Sequence, residues 1–357
     1  MTGNKGEWSE IYTLFKLLGD GVVYAGNGNM EKIDTLFYPI LRVIRKESEI
    51  YNYEPRINEN RVVVILNGNE EELMRISMND FSVIAKCLLD SIKSAKGSAF
   101  SLPTIEDFMT SVKCYSLKAR SVDKTDIRIV IHDLRTGTTP TLGFSIKSQL
   151  GHPSTLLNPG HTTNFKYKIE GVDLNDNDIT NINAISGQIE RMNNLLSRGA
   201  NLKFHSMDCQ TFEDNLVIID SFMPEIIAEC IKEHFISGCN DLNALTEGVI
   251  KRNPLGIKRN PDLFYITKMK SLLVDVALGM TPAKVWTRRY DANGGYLVVR
   301  NDGEVLCYHF YDRNQIEDYL YENTRFDYPS RTRYNYGSLF KDGNDVFIKL
   351  NFQIRFK

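Results

Sequence analysis

Two neighbouring segments near the middle of the chain alternate apolar and polar positions. Isoleucines take every second position across residues 126–132, and the same alternation recurs across residues 142–149. A period of two is typical of strands that bury one face. The turn-forming residues 135–138 lie between the two segments, and Gly137 can adopt a positive φ there. The pattern predicts a β-hairpin.

A helical pattern opens the chain. Apolar residues at 11, 14, 15 and 18 follow the i, i+3, i+4, i+7 rule and predict an amphipathic helix that ends near Gly19. Periodicity also predicts helices over residues 31–46, 79–93, 181–197 and 224–235, and strands over residues 62–67, 295–310 and 346–356, with a turn at 301–303. Pro39 would kink or split the helix predicted over residues 31–46.

The register of the predicted hairpin brings a carboxylate and a lysine together. A turn centred on Thr136 and Gly137 places Asp126 opposite Lys147, with Ser145 nearby. Directly paired side chains lie about 5 Å apart, which is close enough to share a ligand. The rival Asp133 falls beside the turn, so Asp126 is the better site candidate. The alternative is an exposed ion pair of little energetic value.

Composition limits the classes of function. The chain has 357 residues, 42% of them hydrophobic, and no long apolar run, so we expect one elaborate domain or two. Its first ten residues are polar and show no signal peptide, which predicts a cytoplasmic protein without a membrane anchor. The six cysteines and six histidines are scattered, which predicts reduced thiols and no zinc site. No ATP-binding P-loop motif occurs.

A formal net charge of −2 argues against a protein that coats DNA indiscriminately, so DNA contacts would need a local basic surface. Residues 251–289 contain nine basic and two acidic residues, and within them Lys258 and Arg259 are DNA-binding candidates. A solvated basic face would look the same. Residues 325–337 form a second candidate, because arginines there could bind base edges and tyrosines sugar or phosphate. The candidates in it are Arg325, Arg331, Arg333 and Tyr334.

A polar, turn-rich segment follows the second hairpin strand. Ser154, Asn158 and Asn164 within it are candidates for phosphate or base contacts, although asparagines that cap turns give the same pattern. His132 and His161 lie near the proposed site in sequence and are weaker candidates.

Several segments together resemble a known family. They are Thr2-Gly3-Asn4-Lys5-Gly6-Glu7-Trp8-Ser9-Glu10, Asp123-Lys124-Thr125-Asp126-Ile127 and Gly143-Phe144-Ser145-Ile146-Lys147-Ser148, followed by Leu150-Gly151 and residues 155–158 and 163–165. In this order they resemble the PD-(D/E)xK nuclease superfamily and, more closely, the HpaII family of type II restriction endonucleases. The Lys5-Gly6-x-x-x-Glu10 spacing is also similar to archaeal Holliday-junction resolvases.

The resemblance implies an α/β fold. It would have a restriction-endonuclease-like PD-(D/E)xK core, a mixed central sheet flanked by helices, a helical insertion and a C-terminal α+β elaboration. Residues 1–172 would form the catalytic core, with an insertion at about 27–115. Residues 173–357 would serve DNA recognition, as a second domain or as part of one continuous domain.

The resemblance also implies a metal site. Asp126 and Glu10 would bind Mg²⁺, and Lys147 would orient water and stabilise charge on the phosphate. Ser145 stands where most superfamily members have an acid, so a second anion must come from Glu10, with Gln149 as a weaker, neutral alternative. Unaided by the resemblance, Glu7 and Glu10 would be read as complementing the helix dipole.

The implied function is Mg²⁺-dependent cleavage of double-stranded DNA at a short specific site, 5′-CCGG-3′ if the target of the HpaII family is shared. A homodimer and a monomer are both compatible with the sequence, and a cytosine methyltransferase is expected as a genetic partner. Two alternatives stay open: a structure-specific repair or recombination nuclease, and a non-catalytic DNA-binding protein on a decayed nuclease scaffold, which the missing acid at Ser145 would favour.

Overall fold

A computed structural model describes residues 1–118, 125–289 and 293–357. The fold is mixed α/β and divides into two compact units. The first comprises Met1–Ser154 with Tyr290–Tyr319, and the second comprises Thr155–Arg289 with Leu320–Lys357. This division differs from the predicted boundary at residue 172, because the chain returns to the first unit after residue 289.

The helices and strands follow the chain in this order: α1 (Lys5–Asp20), β1 (Val22–Gly26), β2 (Lys32–Lys46), β3 (Ile50–Arg56), β4 (Val62–Leu66), β5 (Glu72–Ser77), α2 (Met78–Ser94), α3 (Pro103–Ser111), β6 (Ile127–Ile131), β7 (Thr141–Ser148), β8 (Thr155–Leu157), a 3₁₀ turn (His161–Thr163), β9 (Asn164–Glu170), α4 (Asp176–Ala184), α5 (Gln188–Ser197), β10 (Asn201–Met207), α6 (Gln210–Ile219), α7 (Met223–Ser237), α8 (Leu242–Arg252), α9 (Pro261–Ala277), β11 (Gly295–Val299), β12 (Val305–His309), α10 (Arg313–Glu322), β13 (Thr324–Phe326), α11 (Arg331–Tyr334), β14 (Leu339–Asp342), β15 (Asp345–Asn351) and β16 (Ile354–Phe356).

A large mixed sheet organises the first unit. In the described part of the chain it has nine strands, in the order β1-β12-β11-β7-β6-β2-β3-β4-β5. Strand β7 pairs with β6 in antiparallel and with β11 in parallel orientation. The predicted hairpin is therefore inside the sheet, and its second strand has a neighbour on each side.

Helix α1 covers one face of this sheet. It begins with a capping box in which the Asn4 side chain accepts from the Glu7 N–H and the Glu7 carboxylate accepts from the Asn4 N–H. It ends at Gly21, whose φ of 71° is left-handed, two residues beyond the predicted stop. Its buried face joins the core of the unit, and burial of each large apolar side chain contributes about 1.5–3 kcal/mol.

The predicted helix over residues 31–46 is wrong, because this segment is strand β2. It pairs with β1, β3 and β6, so its backbone is satisfied by neighbouring strands on both edges. Pro39 is compatible with this strand, and its carbonyl accepts from the His132 N–H at 2.8 Å. Sheet pairing overrides the helical spacing of the apolar residues. The predicted helical insertion is consequently mixed, with strands β2–β5 beside helices α2 and α3.

The second unit contains two small sheets and most of the remaining helices. The sheets have the strand orders β10-β9-β15-β14 and β13-β16-β8. The helix predicted over 181–197 is two helices, α4 and α5, and the strand predicted over 346–356 is split between β15 and β16. The predictions for α2, α7, β4 and the β11–β12 hairpin are confirmed. Nowhere in the described ranges is a helix long and apolar enough to cross a membrane.

Candidate active site

The hairpin of β6 and β7 has a different register from the predicted one. Ile127 pairs with Phe144, and the Asp126 N–H donates to the Phe144 carbonyl at 2.9 Å. Asp126 therefore lies opposite Ser145 and not opposite Lys147. The reason is the turn: an isolated bridge joins Asp133 to Thr138, which centres the turn one residue earlier than predicted. A shift of two residues keeps the same face, so Asp126, Ser145 and Lys147 still share one side of the sheet.

Ser145 holds the Asp126 carboxylate. Its Oγ donates to Asp126 Oδ2 at 2.9 Å, and the Ile146 N–H donates to the same oxygen at 2.7 Å. No described residue donates to Asp126 Oδ1. The two hydrogen bonds fix the carboxylate through one oxygen and leave the other for a further partner.

Glu10 faces a cavity. This α1–β7 cavity has a volume of about 780 Å³, and both Glu10 and Lys147 line it together with Lys5 and His152. Burial and, to a smaller extent, the negative charge of Asp126 raise the pKa of Glu10 to about 8. Glu10 is therefore not simply a solvated residue at the helix N-terminus. It forms a like-charge pair with Asp126, and such a pair favours either a proton or a cation.

Lys147 completes the group from strand β7. Burial lowers the pKa of Lys147, whereas the charges of Asp126 and Glu10 act in the opposite direction. Its ammonium lies 5.1 Å from the ring centroid of Tyr296. A partly desolvated ammonium beside two carboxylates can donate hydrogen bonds to water or to a phosphate oxygen.

Lys118 is a cation near the carboxylates that the sequence analysis missed. It pairs with Glu7 at 3.1 Å, and its charge lowers the pKa of Glu10. Two residues before Lys118, the Ser116 Oγ donates to Glu47 Oε2 at 2.7 Å. Glu47 in turn forms a buried ion pair with Arg45, whose Nε lies 2.6 Å from Glu47 Oε1. No local sequence motif predicts that Lys118 lies near the carboxylates, because these contacts join residues far apart in sequence.

Gln149 and Asp133 do not join the carboxylates. The Gln149 Oε1 accepts from the Asn301 N–H at 3.3 Å, so this side chain supports the β11–β12 turn. Asp133 is buried and contacts Arg135 at 3.4 Å. Asp123 and Lys124, which belong to the segments that carry the family resemblance, lie outside the described residues.

The chemistry of the donor pair suits Mg²⁺. Glu10 and Asp126 offer carboxylate oxygens, and this ion is usually bound by one or two carboxylates, with waters and substrate phosphate completing an octahedron. Across residues 1–118, 125–289 and 293–357 no group of three or more His, Cys, Asp or Glu could hold a metal ion. Two carboxylates would leave coordination positions for waters and for the substrate phosphate, which fits the usual protein sites of this ion.

Asn164, a predicted DNA contact, is buried in the second unit. Its Nδ2 donates to Asp208 Oδ2 at 3.1 Å and to the Tyr334 carbonyl at 3.0 Å, and its Oδ1 accepts from Asn351 Nδ2 at 2.7 Å. These contacts engage both ends of the Asn164 side-chain amide within the second unit. Asn158 is exposed just after β8 and could contact a ligand.

The segment of residues 325–337 is more ordered than the predicted loop. It contains β13 and the short helix α11, and the tyrosines at 328 and 336 donate their hydroxyl hydrogens to backbone carbonyls. Arg331 donates to the Ser186 carbonyl at 3.0 Å, and Arg325 lies within β13 opposite Arg355. Arg333 is exposed, 5.4 Å from the Tyr334 ring. Arg333 is the most accessible of the three arginines.

The basic region of residues 251–289 is partly neutralised. Acidic residues outside or within it contact Arg252, Lys268 and Arg288. Lys258 and Arg259 are exposed in the connection between α8 and α9. These two residues remain suitable for contacts with a polyanion.

Comparisons with known proteins now identify the class. The family described as HpaII restriction endonuclease matches residues 4–356, and the chain belongs to this family. It is a type II restriction endonuclease. The chain is similar to the type II restriction enzyme HpaII of Haemophilus parainfluenzae, with 46% identity over 360 residues that cover 99% of this chain and 98% of the relative. No solved structure shows a significant match.

Proposed function

We propose that this protein hydrolyses phosphodiester bonds of double-stranded DNA at a short specific site, with Mg²⁺, on a PD-(D/E)xK-like core. The observation that carries the proposal is the convergence of Glu10 from α1 and Lys147 from β7 on one cavity, beside the electrostatically coupled Asp126. An acid pair next to a lysine suits metal-assisted hydrolysis.

The residues have separate roles in this mechanism. Asp126 and Glu10 would hold the Mg²⁺ ion, which when bound polarises the phosphoryl oxygen and makes a coordinated water more acidic. Lys147 donates hydrogen bonds to the attacking water and to the phosphate, where negative charge grows. Ser145 keeps Asp126 in place through Oδ2 and neither attacks the substrate nor replaces the missing acid.

The finer features of the function rest on the relative. A target of 5′-CCGG-3′ and a cytosine methyltransferase encoded nearby are the proposals that follow from membership in the HpaII family. A palindromic target would suit a two-fold dimer, and cleavage by a monomer is the alternative. Lys258, Arg259 and Arg333 are the exposed cations that we propose for DNA binding in the second unit.

A decayed nuclease scaffold was the alternative favoured by the serine at 145. The structure supports the active enzyme better, because Ser145 has a role beside Asp126 and because Glu10 lines the cavity.

The deciding experiment compares Asp126→Ala and Lys147→Ala with the natural protein on a mapped plasmid and Mg²⁺. We expect discrete fragments from the natural protein, and DNA binding without cleavage from both variants. Lys16→Ala and Asp20→Ala are matched controls, because they remove the same groups from a surface ion pair at the other end of α1. Full cleavage by either site variant contradicts the assignment, and cleavage confined to branched junctions supports a resolvase.

A further inference from the structure

Tyr296 lies beside Lys147 although 149 positions separate them in sequence. Strand β11 pairs with β7 in parallel, and in this register Tyr296 is opposite Ser145 while Val298 is opposite Lys147. The Lys147 side chain therefore leans back along its strand toward the tyrosine, and its Nζ lies 5.1 Å from the ring centroid.

The Tyr296 ring contacts the Lys147 ammonium in a place where water would otherwise solvate it. Tyr296 is only 3% exposed, so the contact lies in a desolvated region. The face of an aromatic ring carries partial negative charge and attracts an ammonium most strongly when water is excluded. The contact also restricts a side chain that would otherwise have four rotatable bonds.

We propose that Tyr296 is a positioning residue for Lys147: its ring contacts the ammonium across the β7–β11 pair and restricts its position at the α1–β7 cavity. This inference rests on the proposed function, because it assigns Tyr296 a role only through the catalytic lysine. It adds to the site a residue from β11, outside the region 1–172 that the sequence predicted to be catalytic.

The opposing explanation is that Tyr296 only fills the core. Tyr308 provides a matched control, since it is directly opposite Tyr296 on β12, is fully buried, and stacks on Tyr319 at 4.1 Å. Replacing either tyrosine removes a large side chain from the same face of the sheet. The Lys147 contact is specific to Tyr296 among these two.

The test measures single-turnover cleavage, DNA affinity and melting temperature for Tyr296→Phe, Tyr296→Leu and Tyr308→Leu. Phe keeps the ring, so its rate should stay within about twofold of the natural protein. Leu at 296 should slow cleavage about tenfold without a comparable change in DNA affinity, as expected for loss of a buried cation–π contact. Leu at 308 should lower the melting temperature to a similar extent but leave the rate of the folded protein nearly unchanged.

Equal slowing by Tyr296→Leu and Tyr308→Leu, or no slowing by Tyr296→Leu, overturns the inference. If Tyr296→Leu does not fold, Tyr296→Met carries the same expectation, because methionine fills the space without a ring. A parallel measurement on Lys147→Ala distinguishes failure of the proposed catalytic role of Lys147 from failure of the inference on Tyr296. Full cleavage by Lys147→Ala refutes the catalytic role of the lysine. If Lys147→Ala does not cleave and Tyr296→Leu cleaves at the normal rate, only the inference on Tyr296 is refuted.

Discussion

Ser145 donates its hydroxyl hydrogen to Oδ2 of Asp126 at 2.9 Å. Ser145 stands where most members of the superfamily have a second acid, and here its hydroxyl hydrogen-bonds to Asp126, the first acid. A carboxylate at 145 would instead bring a second negative charge against Asp126, which already lies near Glu10. The serine thus avoids a further negative charge beside Asp126, and under the proposed mechanism Glu10 supplies the second carboxylate from α1.

Removal of this hydroxyl should slow cleavage moderately. For Ser145→Ala we expect a loss of about tenfold in the single-turnover rate, because a hydrogen bond to a charged group is worth about 1.5 kcal/mol or more while the Ile146 N–H still holds the carboxylate. Ser148→Ala is the control, since Ser148 contacts Ser9 on α1 and not Asp126. An unchanged rate for Ser145→Ala would show that the hydroxyl does not matter to Asp126.

Glu10 should make stability depend on pH in a direction opposite to that of most acids. Because its folded-state pKa is raised from 4.5 to about 8, the folded protein binds more protons than the unfolded chain between these values, and stability falls as pH rises through this window. Glu10→Gln removes the free-energy cost of ionising a buried carboxyl group next to Asp126. In EDTA we expect this variant to match the natural protein at pH 4 and to exceed its stability above pH 8, by on the order of a few kcal/mol.

Glu7→Gln is the control for this measurement. The Asn4 N–H and Lys118 lower the pKa of Glu7 against a smaller opposing effect of burial, so the ionised form of Glu7 stabilises the fold above its unfolded pKa and the variant should lose stability at neutral pH. Melting temperatures across the pH range distinguish the two variants. A constant stability difference between Glu10→Gln and the natural protein at pH 4 and pH 8.5 would contradict the assignment.

Two sets of cations in the second unit should differ in what they contribute to DNA binding. Lys258→Ala and Arg259→Ala should weaken binding to any duplex and each reduce the slope of log K against log salt by about 0.9, as for single phosphate contacts. Arg333→Ala should weaken specific binding more than non-specific binding. Titrations of specific and random duplexes at several salt concentrations test both, and equal losses for Arg333→Ala would make it a phosphate contact only.

Asn164 and Asn158 offer a contrast between structure and surface. Asn164→Ala removes one buried and two part-buried hydrogen bonds and should destabilise the protein by about 2–3 kcal/mol. Asn158→Ala is exposed and should leave stability unchanged. Denaturant unfolding measures both. Loss of sequence specificity by Asn164→Ala without loss of stability would support the prediction that this residue contacts DNA.

The sequence was sufficient where the information is local. Alternation predicted the β6–β7 hairpin, and the apolar spacing of residues 11–18 predicted α1, because each pattern reflects a single buried face. That Asp126 and Lys147 share one face of the sheet also followed from this strand pair, whereas their proposed role came from the family resemblance. The error in register came from the turn, where Asp133 and Thr138 close a loop that starts one residue earlier than Gly137 suggested.

What depended on distant contacts could not be predicted. Strand β2 has helical spacing of apolar residues, and only pairing with β1, β3 and β6 makes it a strand. Tyr296 reaches Lys147 only because β11 joins β7 across the sheet. Likewise the burial of Asn164 depends on Asp208 and Asn351, which a turn-rich local sequence does not reveal.

The parallel pairing of β11 with β7 has a consequence for biosynthesis. The ribosome makes the catalytic strand, Thr141–Ser148, well before Gly295–Val299, so a nascent or prematurely terminated chain lacks the neighbour that borders Lys147. Long-range closure of this kind forms late and slowly. Under the proposed mechanism, a chain that stops before residue 295 is therefore expected to lack the contact between Tyr296 and Lys147 and to cleave DNA slowly or not at all.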